Sequence, residues 1–225
     1  MALVKNQDGS VPAARPANEA ARLDSLRSYQ VLDTPSEAAF DDIVQLVAYV
    51  CQTPVSLVTL VDEERQWFKA SVGIDDRETH RDVSFCAHAI LAPSEMLEVE
   101  DTHTDERFNT NPFVVDAPHI RFYAGVPLVS PEGHALGTIC TLDDRPRKLD
   151  QSQRQALRAI ANTLATQLEL RRTLLTIERE IAGLGSVLSP PPGVPVMALQ
   201  DRLVVLLGRL RELQQLLHAQ QQRRQ

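Results

Sequence analysis

Ile120–Asp143 reads I-R-F-Y-A-G-V-P-L-V-S-P-E-G-H-A-L-G-T-I-C-T-L-D, two β-rich runs on either side of the tight connector S-P-E-G-H. Pro131 and Gly133 supply the turn geometry, so the stretch predicts a long hairpin. Side chains alternate along a strand. Ile120, Phe122, Ala124, Val126 and Leu128 therefore share one face, and Arg121, Tyr123, Gly125 and Pro127 the other. The first set is core. The second combines a cation, a phenol and two residues that leave room, the makeup of a small-molecule pocket floor or of a solvated face.

Val55–Val61, V-S-L-V-T-L-V, carries apolar residues on both faces and predicts a central strand covered on both sides. D-E-E-R is a turn, and Gln66–Ala70, with Trp67 and Phe68, is the returning strand. Before them, Thr34, Pro35 and Glu37 have the spacing of a capping box. Phe40, Ile43, Val44, Val47, Val50 and Cys51 follow at helical intervals, predicting a helix over 35–51. Ser84 has the position of an N-cap for the short helix F-C-A-H-A-I-L. A short strand at 95–100 and a loop with helical turns at 101–117 lead into the hairpin. Ala21, Leu23, Leu26 and Tyr29 mark a short amphipathic helix from Asn18, and residues 1–17, with Gly9, Pro12 and Pro16, read as a flexible tail.

After Pro146 the texture changes. Asp150 is placed to cap a long helix striped by Leu157, Ile160, Leu164 and Leu168. The stripe resumes, after a phase shift, as Leu170, Leu174, Ile177, Ile181, Leu184 and Leu188 in a 4-3-4-3-4 rhythm. Gly183 and Gly185 weaken that helix, and the prolines at 190–192 break it. A last helix repeats the rhythm with Leu199, Leu203, Leu206, Leu210, Leu213 and Leu217. An isolated helix of this length is marginal in water, so the stripe needs a partner, and a second copy of the chain is the simplest source. Val204, Val205, Leu207 and Leu216 widen it toward a bundle. The expected organisation is a tail over 1–17, a domain over 18–172, a helical extension over 173–188, a Pro-rich linker over 189–198 and a leucine-striped helix over 199–225.

The totals narrow the function classes. The chain has 225 residues, 43% hydrophobic and 24% charged, enough for one domain with appendages. A net charge of −7 and the lack of a basic patch argue against nucleic-acid binding. The opening residues lack a long apolar run and nothing reaches transmembrane length, so neither a signal peptide nor a membrane anchor is expected. Three widely spaced cysteines, Cys51, Cys86 and Cys140, form no disulfide framework and suit a reducing, cytoplasmic setting.

Six ordered segments carry a resemblance: L-D-T-P-S-E-A-A-F-D-D-I, V-T-L-V-D-E-E-R-Q-W-F-K-A-S-V-G-I, R-D-V-S-F-C-A-H-A-I-L, D-E-R-F-N-T-N-P-F-V, I-R-F-Y-A-G-V-P-L and A-L-G-T-I-C-T-L-D. From about Asn18 to Arg172 the chain resembles a bacterial group of GAF domains. The resemblance implies an α+β fold related to PAS domains: an antiparallel sheet of five or six strands, helices on both faces, and a C-terminal helical extension. It also implies a ligand pocket on one face under helices and loops. Such domains are regulatory sensors commonly joined to histidine kinases, cyclic-nucleotide cyclases or phosphodiesterases, and often dimeric through their terminal helices. The departures are informative. The N-K-F-D-E signature of cyclic-nucleotide-binding relatives is not found. The segment 105–119 lacks the cysteine through which bilin-binding relatives attach their chromophore. No kinase, cyclase or DNA-binding pattern follows, and His218, in L-L-H-A-Q, lacks the acid beside a phosphoacceptor histidine.

The residues proposed to line the pocket are Arg121, Tyr123, Cys86, His88 and Trp67. A guanidinium within a strand needs an anion, from a ligand or from Asp101 or Asp105. Cys86 falls in the first turn of its helix, where the dipole favours thiolate, yet a buried thiol also behaves as a small hydrophobe. Trp67 and Phe68 alternate in a strand, so core is the default for at least one of them. No spacing supports a metal site. The expected function is a non-enzymatic sensor, with a small-molecule ligand or partner whose effect is relayed by dimerising helices to a histidine kinase or other signalling protein. Two rivals stand beside it. One is a thiol redox enzyme of the free methionine sulfoxide reductase type using Cys86 and Cys140. The other is a tetrapyrrole or haem sensor using His88 or His119.

Overall fold

The structure, a computed structural model, describes residues 6, 7, 9–188 and 208. Six strands form one antiparallel sheet: β1 (Val55–Val61), β2 (Arg65–Val72), β3 (Glu78–His80), β4 (Leu97–Val99), β5 (Phe122–Val129) and β6 (Ala135–Asp143). Their order is β3-β2-β1-β6-β5-β4. The hairpin of the opening segment is β5–β6, paired from Phe122↔Asp143 to Val129↔Ala135. β1 lies at the centre between β2 and β6, as its two apolar faces predict. It approaches β6 closely enough that a Cβ on Gly137 would sit 2.7 Å from Leu60 Cα. Only glycine fits that contact.

Each face of the sheet is covered, so the α+β class and the two-faced arrangement hold. On one side lie α1 (Glu19–Ser28), α2 (Ala38–Cys51) and the first half of α5 (Gln151–Leu188). Leu26, Phe40, Val44, Val47, Leu157, Leu164 and Leu168 pack there with Phe122, Ala124, Leu128 and Ile139 in one buried cluster. The even-numbered set from Phe122 to Leu128 is thus core, as its alternation requires, whereas Ile120, which precedes the strand, packs on the opposite side of the sheet. On the other side are α3 (Phe85–Ala89) and α4 (Pro112–Val115) with their loops. Phe85, Cys86, Phe108 and Val114 cluster there with Leu57, Phe68, Tyr123 and Cys140.

Two expectations need correction. The helix predicted over 35–51 begins at Ala38, with Glu37 extended at its cap. The reason is Lys69, whose side chain is fully buried in β2. Its ammonium donates to Thr34 Oγ1 at 2.9 Å, Pro35 O at 2.7 Å and Glu37 Oε1 at 2.6 Å. A buried cation must be paired and hydrogen-bonded, and it draws the capping-box groups away from the helix end. The second correction concerns the tail. Ser10 and Val11 are buried, and Ala13 packs on the α3-side core. Asn6 donates to Asp82, and Thr110 Oγ1 donates to Gly9 O at 2.6 Å. Segment 9–17 is therefore a packed strap.

The chain divides into two compact units, Met1–Glu169 and Leu170–Gln225, and α5 contributes to both. Asp150 caps α5 as its position predicts, accepting from Gln153 N at 2.8 Å. In the second unit Leu170, Leu174 and Ile181 are exposed. The linker at 189–198 and the stripe Leu199, Leu203, Leu206, Leu210, Leu213 and Leu217 lie outside the described residues. Among the described residues no helix is long and apolar enough to cross a membrane.

Candidate functional site

The α3 face of the sheet is built from short-range signals. Ser84 caps α3 by accepting from Ala87 N at 3.0 Å, and its hydroxyl donates to Gln66 Oε1, which pins the helix start to β2. Capping points the first turn at the sheet, so Phe85 and Cys86 are buried against it. Across the sheet the register places Gly125, Cys140 and Leu57 in one row and Pro127, Thr138 and Thr59 in the next.

These rows form a buried nest of thiols and hydroxyls. Tyr123 Oη donates to Cys86 Sγ at 3.3 Å, and Cys86 Sγ lies 3.7 Å from Cys140 Sγ. The Thr59 and Thr138 hydroxyls are 3.2 Å apart. Phe85 closes the nest, stacked on Tyr123 at 5.3 Å between ring centroids. The phenol bends back along its strand over Gly125, where a Cβ would lie 2.7 Å from Tyr123 Cζ. Burial raises every acid here. For Cys86, hydrogen bonding with Cys140, Thr138, Thr59 and Tyr123 outweighs that effect and holds its thiol below the ordinary value. Burial and the neighbouring Cys86 charge push Tyr123 and Cys140 well above theirs. Cys86 is the group that ionises first.

Beside the nest lies a cavity of about 260 Å³. Its walls include Leu57, Phe68, Phe85, Phe113, Ile120 and Leu142, with Gln66 and Thr79 among its polar lining. Thr79 Oγ1 is buried and has no hydrogen-bond partner among the described residues. A buried hydroxyl without a partner costs free energy, and it belongs to a residue of the cavity's lining. Asp143, also at the cavity, is already occupied by Arg147 Nε at 2.5 Å.

The five residues singled out in the sequence do not form one site. Cys86 and Tyr123 meet. His88 is on the same helix, but its Nε2 donates to Val11 O at 3.0 Å and its ring stands edge-on to Phe108. Burial, first, holds its pKa below the ordinary imidazole value. Arg121 makes a bidentate pair with Asp101, at 2.9 and 2.7 Å, which is the internal-partner reading of that residue. That hydrogen-bonded pair holds the Asp101 carboxyl below its usual range. Trp67 lies in the core cluster of the opposite face, with Phe40 and Val58. Its neighbour Phe68 faces the cavity instead. Among the described residues no group of three or more His, Cys, Asp or Glu is placed to hold a metal ion.

The family model described as GAF domain matches residues 35–168. This chain belongs to the GAF domain family. A cyclic di-GMP phosphodiesterase of Pseudomonas aeruginosa is 42% identical over 132 residues, 59% of this chain. The match covers 22% of that protein, so the chain spans about a fifth of the relative's length. Among solved structures, the GAF domain of an Acinetobacter phosphoenolpyruvate-protein phosphotransferase superposes with a TM-score of 0.51 at 19% identity, over 66% of this chain and 93% of that one. A bacteriophytochrome from the photosynthetic bacterium R. palustris gives 0.53 at 14% identity, over 87% of this chain and 47% of that one. At such identities these two likenesses speak for the fold alone.

Within this GAF domain, Thr59, Thr79 and Thr138 were not singled out in the sequence, although two of them carry a signal. Thr59 and Thr138 are hydroxyls in the middle of strands covered on both faces, where each polar group must find a partner. Thr79, on the short edge strand β3, carries no such pattern.

Proposed function

We propose that this GAF domain is a non-enzymatic regulatory module that receives a small molecule in the α3-face cavity. The cavity itself, with Gln66 and Thr79 in its lining, is the observation that carries the reading, because apolar walls with few polar groups are how proteins hold small ligands. At about 260 Å³ it suits a compact ligand, below the roughly 300–1,000 Å³ that holds drug-sized ones. The likeness to part of a cyclic di-GMP phosphodiesterase supports a place beside an output activity, with the present segment as input. In this reading occupancy biases the packing of the terminal helices in a cytoplasmic homodimer, with Leu199, Leu203, Leu206, Leu210, Leu213 and Leu217 at the interface, and a histidine kinase or other signalling protein receives the change.

A small-molecule panel screened by thermal shift tests the cavity, because a ligand that prefers the native state raises its midpoint. Hits should stabilise the wild type, lose their effect in Val83→Phe, which fills the cavity, and bind about 5-fold more weakly in Thr79→Val. Hits that stabilise Val83→Phe as well as the wild type would place the ligand elsewhere and overturn the assignment. Light scattering over a concentration series reads the dimer separately.

A further inference from the structure

The sensor reading makes no use of the thiol nest. Three features set Cys86 and Cys140 apart from a pair of packed hydrophobes. They come from different elements, α3 and β6, yet their sulfurs are 3.7 Å apart. A phenol, Tyr123, is aimed at one of them. Two threonine hydroxyls, Thr59 and Thr138, sit in the buried row next to that of Cys140, where aliphatic side chains would pack with no polar atom to satisfy. The third cysteine shares none of this. Cys51 lies in the opposite core, and burial pushes its thiol up to about 11.

We propose that Cys86 and Cys140 are a two-electron redox site, oxidised by a hydroperoxide to a disulfide that ties α3 to β6. Hydrogen-bond donors stabilise a thiolate, and the thiolate is the nucleophile, so Cys86 reacts first. Its sulfur attacks the distal peroxide oxygen: an S–O bond forms, the O–O bond breaks, and the alcohol (water, for hydrogen peroxide) leaves with a proton. Cys140 then attacks the Cys86 sulfenic sulfur. The S–S bond forms, the S–O bond breaks, and hydroxide departs with the Cys140 proton as water. Two thiols lose two electrons in total, and one hydroperoxide is reduced. A dithiol reductant reverses the step by exchange.

Both sulfurs are buried and neither cysteine lines the neighbouring cavity, so the oxidant has to reach them from there by movement of the wall between. Phe85 in its wall precedes Cys86, Leu57 pairs with Cys140 across the ladder, and Leu142 lies two residues on from it. A hydroperoxide of a few atoms fits there. The consequence is mechanical: the disulfide would fasten the short helix over the cavity to the centre of the sheet.

The test uses the full chain and hydrogen peroxide. Thiols titrated after denaturation should fall from three per chain to one, and non-reducing peptide mass spectrometry should show the segments of Cys86 and Cys140 joined, with two hydrogens lost. Dithiothreitol should restore all three. Cys51→Ser should lose its two remaining thiols at the wild-type rate. Cys140→Ser should stop at a Cys86 sulfenic acid that dimedone traps. The proposal fails if the wild type keeps three thiols under peroxide that oxidises free cysteine, or if Cys51 is consumed as fast as the pair. It fails equally if Cys86 and Cys140 go separately to sulfinic acids with no joined peptide. None of these readouts depends on a ligand in the cavity, so failure here and failure of the sensor reading are distinguishable.

Discussion

Arg81 and Glu19 stand 62 residues apart in sequence, and their side chains meet at 2.5 Å, tying α1 to the turn that leads into α3. Arg22 completes the cluster with two contacts of 2.8 Å to the same carboxylate. Burial alone would raise the Glu19 pKa, but the hydrogen bonds from Arg22 and Arg81 bring it down from 4.5 to about 2. A carboxyl whose folded pKa lies below its unfolded value stabilises the native state fully above the unfolded pKa, and this is lost as pH falls through the folded one. The wild type should therefore weaken between about pH 4.5 and 2. Urea midpoints across that window should fall more steeply for the wild type than for Glu19→Gln.

Tyr123 occupies the space that a side chain at Gly125 would take. Gly125→Ala should displace the phenol from Cys86 and cost about 1–3 kcal/mol, as overpacking does in a filled core. Adding Tyr123→Ala removes the group that is struck. The two changes should then be markedly non-additive in a denaturant double-mutant cycle.

Lys69 and Glu37 are unequal partners, because the lysine is fully buried and Glu37 reaches solvent. Removing Glu37 leaves a buried cation short of its countercharge, whereas removing the lysine frees a carboxylate to be hydrated. Glu37→Gln should therefore cost about 1–3 kcal/mol. Lys69→Met, which keeps an unbranched apolar side chain but gives up the ammonium 5.2 Å from the Phe40 ring centroid, should cost less. The ordering of the two urea midpoints checks this.

Val11 anchors the N-terminal strap on the α3 side, where its carbonyl also receives His88 Nε2. Val11→Ala should cost about 1–2 kcal/mol through lost burial. It should also speed hydrogen exchange of the α3 amides more than those of α2, because the strap touches the former helix. Equal changes in both would indicate global destabilisation alone.

Much of the fold could be read from short-range pattern. The alternation at Phe122, Ala124 and Leu128, the caps at Ser84 and Asp150, and the two-faced apolar run of β1 each depend on residues within a few positions of one another. The ordered segments that resemble GAF domains fall on β1 and β2, α3 and the β5–β6 hairpin, and also on α2 and the loop into α4. Where the reading failed, a distant residue had intervened. Thr34, Pro35 and Glu37 have the pattern of a helix start, and Lys69, more than 30 positions away, takes their polar groups. The strap looked like a tail because its anchors, His88 and Thr110, are 77 and 101 residues distant.

By itself the amino-acid order determined five of the six strands and most of their apolar faces, through periodicity and local turn and cap chemistry, and its ordered segments carried the resemblance to GAF domains; the edge strand β3 has no such pattern. Tertiary structure alone decided which polar groups meet. It set Cys86 against Cys140, turned Trp67 to the far side of the sheet, closed Arg121 onto Asp101 and left the Thr79 hydroxyl unpaired at a cavity. Those outcomes depend on strand register and on how helices dock across the sheet, and both are settled by the packing of the whole core.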